Sequence, residues 1–111
     1  MRKIKIGEKE YSVHYGQNAI CAIENELDES INEFLERLRS NGIRLADIRT
    51  MVWAGLLKEN RSITPEEVGE LCDAAGVKLM DLLPECIKEF DASFARFIPE
   101  DKESEDTEKN E

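Results

Sequence analysis

The stretch LADIRTMVWAGLLKEN constrains the fold more than any other part of the chain. Leu45, Ile48, Val52 and Leu56 recur at helical spacing, and Met51, Trp53 and Leu57 widen that stripe. A helix from about Arg44 to Lys58 is then apolar over much of its circumference, which places it at the centre with other elements around it. Ala54 and Gly55 allow one of those elements to approach closely. Trp53 is expected to be buried there, with its indole N–H on a backbone carbonyl, rather than to bind a ligand.

The remaining elements are the wrapping. RKIKIGEKEYSVHY alternates Ile4 and Ile6 with lysines, turns at GEKE, and alternates Tyr11, Val13 and Tyr15 with polar residues, so a hairpin with one apolar face is expected over about residues 2–15. Two strands alone are marginal, so the hairpin must lie on helices. From Gln17, Ile20, Ile23 and Leu27 with Ala19 and Ala22 mark a short amphipathic helix ending near Asp28. Ser30 and Glu33 offer a capping box for a second helix that turns Ile31, Phe34, Leu35 and Leu38 inward, and SNG at residues 40–42 stops it with a glycine suited to a left-handed terminus.

The most complete local signal is SITPEEVGELCDAAG. Thr64 is the N-cap, Pro65 opens the helix, Glu67 closes the box, Val68, Leu71, Cys72 and Ala75 form the apolar face, and Gly76 is the stop. A last helix covers about Lys78 to Phe97, with Leu83, Ile87, Phe90, Phe94 and Phe97 on one stripe and a break or new start near Pro84. The expected fold is α+β: an N-terminal hairpin and a bundle of four to five helices, forming a single domain over residues 1–98. Residues 99–111 are expected to be a disordered acidic tail, since EDKESEDTEKNE holds seven acidic residues against two lysines and no apolar side chain.

The net charge of −10 disfavours nucleic acid and anionic membranes as partners, because both carry the same sign. Three widely spaced cysteines, Cys21, Cys72 and Cys86, argue against a disulfide framework and for a reducing cytoplasm. No stretch is apolar enough for export or membrane spanning.

A reaction centre finds no support. His14, the sole histidine, has no nearby partners for catalysis or metal binding, and the cysteines fall at helical apolar positions as buried thiols, without CxxC or Cys–His spacing. The acidic pairs, such as Glu66 with Glu67, belong to solvated helix faces and first turns, and the glycines match no phosphate-binding pattern. The expectation is a non-enzymatic protein with no catalytic, cofactor-binding or metal-binding residues. Phe90, Phe94 and Phe97 read either as core packing or as a partner-binding face of the helix-in-groove kind.

Taken in order, YSVHYGQNAICAIENEL, SINEFLERL, LADIRTMVWAGLLKEN and ITPEEVGEL resemble the small tail assembly chaperones of siphophage-like prophages and gene transfer agents, over roughly residues 2–76. Members of that family often carry a glycine where this chain has Asp28 and Glu29. The resemblance implies a protein of the bacterial host cytoplasm that binds the tape measure protein before tail tube polymerisation and is absent from the finished virion, with self-association compatible. It also implies no enzymatic activity and no cofactor. A different class remains open: an acidic regulator or inhibitor, such as a DNA mimic, bound to a basic partner protein.

Overall fold

The central helix meets its neighbours on every side. The computed structural model describes residues 2–40 and 42–97, the side chains of residues 94–97 excepted. Strands β1 (Arg2–Ile6) and β2 (Lys9–Val13) are followed by helices α1 (Gln17–Leu27), α2 (Ile31–Arg39), α3 (Leu45–Leu56), α4 (Pro65–Ala75) and α5 (Leu79–Phe97). Helix α3 packs on α1, α4, α5 and β2, and Met51, Val52, Ala54 and Leu56 are fully buried. The architecture is thus α+β, a hairpin followed by helices.

The hairpin is antiparallel with Ile4 opposite Tyr11 and Ile6 opposite Lys9. Its two-residue connection needs Gly7, whose φ is +71°, because a left-handed first position suits the right-handed twist of the strands. Ile4, Ile6 and Val13 face the core, against α4, α5 and α3. Beyond β2 the chain crosses α3 at Gly55. The His14 amide donates to the Gly55 carbonyl at 2.8 Å, and a β-carbon on Gly55 would lie 2.8 Å from the Tyr15 ring. The Tyr15 hydroxyl donates to the Met51 carbonyl at 2.6 Å, and its ring stands edge-on to Phe90 at 5.5 Å. Trp53 lies partly buried and donates its indole N–H to the Ile63 carbonyl at 2.8 Å.

Both expected capping boxes form. The Glu33 amide donates to Ser30 Oγ and the Glu67 amide to Thr64 Oγ1, each at 3.1 Å, and each glutamate accepts from the cap residue's own amide. Gly76 ends α4 with φ +68°. Asp28 ends α1 with φ +53°, the left-handed position where a glycine is the easy residue.

The Gly42 amide closes α2 by donating to the Arg37 carbonyl at 2.9 Å. Several expectations are corrected. Leu45 is 59% exposed, at the first position of α3. Cys21 is exposed, off the Ala19, Ile20 and Ile23 face of α1, and Ala75 is exposed beside Gly7 at the hairpin turn. Helix α5 runs through Pro84 without a break. Its buried face is Leu82, Cys86, Glu89, Phe90 and Ser93, rotated from the expected stripe, with Leu83 and Ile87 only partly buried. The acidic segment from residue 99 lies outside the described residues.

Candidate functional site

Two large hydrophobic side chains stand out among the described residues as exposed, Leu45 at 59% and Met80 at 57%. They come from the first turns of α3 and α5, yet both line one groove of about 610 Å³. Ala46, Cys72, Val77 and Leu79 form its apolar lining, and Arg49, Asp73 and Lys78 supply its charge. Arg49 lays its stem along α4, where Gly69 leaves room: a β-carbon there would sit 3.7 Å from Arg49 Cδ. The Arg49 Nε is shielded from solvent and has no hydrogen-bond partner among the described residues.

Beside this groove α5 lacks one backbone hydrogen bond. Pro84 has no amide hydrogen to offer the Met80 carbonyl one turn earlier, and both residues are exposed. The side of the helix that loses a bond therefore faces solvent.

On the other flank of α3 lies a knot of charge. Asp47 is fully buried and accepts from both Arg37 and Arg44; Arg37 Nη2 stands 3.0 Å from Oδ1 and Arg44 Nη2 2.9 Å from it. Its carboxylate also accepts the Arg44 amide at 2.7 Å, taking the capping role at the third position of α3. Arg37 extends the chain of contacts to Glu29, donating from Nε at 3.1 Å and from Nη2, and lies over the Phe34 ring. Burial alone would raise the Asp47 pKa, but the hydrogen bonds from Arg37 and Arg44 hold it well below the usual carboxylate range. Asp47 and Glu29 in turn raise the pKa of Arg37. These groups fix α2 and the α1–α2 turn onto α3.

A second, more polar depression of about 880 Å³ lies where the β2–α1 junction, α3 and α5 converge. His14 is on its edge with Nε2 3.1 Å from Glu59 Oε2, and Ser93 donates to Glu89 at 3.3 Å. Tyr15 closes its floor, its pKa pushed well above the ordinary tyrosine value by burial and then by the neighbouring Cys86. Burial likewise raises Cys72, and pushes the Cys86 thiol up to about 11, so both stay protonated at neutral pH and act as small apolar groups. Among the described residues no group of three or more His, Cys, Asp or Glu is placed to hold a metal ion, and no helix is long and apolar enough to cross a membrane.

The phenylalanine stripe divides. Phe90 is 1% exposed and belongs to the core, where burying a ring of that size contributes about 1.5–3 kcal/mol, so it offers a partner no surface in this state. The side chains of Phe94 and Phe97 lie outside the described residues. The exposed apolar pair, Leu45 and Met80, escaped sequence reasoning, although Met80 stands off the apolar stripe of its helix and is a signal of that kind.

A family model described as Phage tail tube protein, GTA-gp10 matches residues 2–95. The match extends through most of α5, which the resemblance read from the sequence left out. No curated protein and no solved structure matches the chain.

Proposed function

This chain belongs to the phage tail tube protein family described as GTA-gp10, and from that premise we propose that it is a tail assembly chaperone, a non-enzymatic protein that binds the tape measure protein before the tube polymerises around it. The family ties the chain to the phage tail. The observation that carries the finer reading is the groove of α3, α4 and α5, whose lips are the exposed Leu45 and Met80. A chaperone for a long apolar protein needs apolar surface on a soluble body, and exposed apolar surface rimmed by polar groups marks protein–protein contact. The acidic composition supports the reading by keeping a complex soluble. The host cytoplasm, where tails are assembled, is the location that goes with it.

Co-expression tests this. With the tape measure protein encoded in the same tail gene cluster, the chaperone reading expects the two to copurify and the tape measure protein to be more soluble than when expressed alone. Equal solubility with no complex removes it. The family description itself supports a second reading, a subunit of the tube. Composition of purified particles separates the two, since a tube subunit is present in many copies and an assembly chaperone is absent.

A further inference from the structure

We infer that the groove between α3, α4 and the start of α5 receives one amphipathic helix of a partner protein, which seats aliphatic side chains between Leu45 and Met80 and sets a carboxylate against Arg49. The inference deepens the chaperone reading and rests on it for the partner's identity. Its grounds are the groove's own shape and chemistry.

Leu45 and Met80 are 35 positions apart and on different helices, yet they are the exposed large hydrophobics among the described residues and they share one groove. Its lining comes from α3, α4, the α4–α5 connection and the start of α5, and no β-strand borders it. An extended segment laid there would find no strand edge and would leave its own amides and carbonyls unpaired against apolar walls. A helix satisfies its backbone internally and can present anchors at positions i, i+3, i+4 and i+7.

Charge selects the partner further. The whole chain carries 25 acidic residues against 15 basic ones, yet the groove lining carries Arg49 and Lys78 against Asp73. The sign is locally inverted. Arg49 lines the groove, and a carboxylate arriving there gains from it, because charge-assisted bonds to arginine are strong and directional. A partner helix with lysines at the same place meets Arg49 and Lys78 as like charges.

The test uses the full chain and two synthetic helical peptides with identical leucine stripes, one flanked by glutamates and one by lysines. Titration followed by amide chemical shifts is expected to show the glutamate peptide bound at Leu45, Arg49 and Met80, about tenfold more tightly than its lysine twin. Leu45→Ser with Met80→Ser removes binding of the glutamate peptide, and Arg49→Gln erases the preference between peptides. Both sets keep the wild-type melting curve, which excludes misfolding as the cause. Binding of neither peptide, equal binding of both, or binding indifferent to the substitutions overturns the inference. So does sedimentation showing that wild type self-associates and the double variant is monomeric, since a second copy then occupies the groove. Copurification with the tape measure protein separates this inference from the chaperone reading: if the double variant copurifies as well as wild type, the groove is not the site and the chaperone reading stands. If wild type fails to copurify while the glutamate peptide binds as described, the chaperone reading falls and the groove remains.

Discussion

Toward α2, the first turns of α3 present Asp47, buried and enclosed by Arg37 and Arg44; toward α4 and α5 the same turns present Leu45, Ala46 and Arg49 to an open groove. A few residues apart, one flank hides a charge and the other exposes a hydrocarbon. Removing a carboxylate from water is costly unless its lone pairs are filled, and at Asp47 two arginines and a backbone amide fill them. That flank is complete and specifies where α2 sits. The groove flank is incomplete in the opposite sense, because apolar surface is left for something else to cover.

The sharpest way to break the comparison is Asp47→Ala. Leaving Arg37 beside an empty site removes the tie between α2 and α3, and a loss of about 3–5 kcal/mol is expected in denaturant unfolding. Acid provides the same test without mutation. The folded-state pKa of Asp47 lies below its unfolded value, so its contribution is fully present above the ordinary carboxylate pKa of about 3.9 and is lost progressively as pH falls below that toward the depressed value. Stability measured from pH 7 to pH 2 should therefore fall more steeply in wild type than in Asp47→Asn.

Thr64→Ala, remote from both flanks, removes one side of the α4 capping box and should cost about 1 kcal/mol in the same assay. Asp28→Gly should raise stability by less than about 1 kcal/mol, since glycine takes φ +53° without strain but orders more backbone on folding. Smallest of all, Leu45→Ser with Met80→Ser should shift the unfolding midpoint within about 0.5 kcal/mol, because neither side chain is buried. A large loss there would mean that the groove flank is as structural as the Asp47 flank.

What could be read from the sequence was local. Ser30 with Glu33 and Thr64–Pro65 with Glu67 announce their helices because both partners lie within one turn. Gly55 was legible as a close crossing and the Trp53 indole as a donor to a backbone carbonyl, although the ring is only partly buried. The Asp47 knot was not, because Glu29, Arg37 and Asp47 sit on three separate segments and each alone looks like a solvated charge. Leu45 failed differently. Helical periodicity gives the angle of a side chain around its axis but not how much of its length the neighbours cover, and Leu45, at the first position of α3, is left 59% exposed. In α5, Glu89 and Ser93 share the buried face with Leu82 and Cys86, so a search for apolar residues alone placed the face one residue too far round.

The crossing of the β2–α1 connection over α3 leaves no space between Tyr15 and the backbone of residue 55. Sequence drift at these two positions is consequently not independent. A lineage that gains a side chain at 55 must first or simultaneously shrink the residue at 15, and in doing so gives up the hydroxyl bond to Met51 and the edge-on contact with Phe90. Substitution histories within the family should show residues 15 and 55 changing together or not at all, with the order of change running from the ring to the glycine.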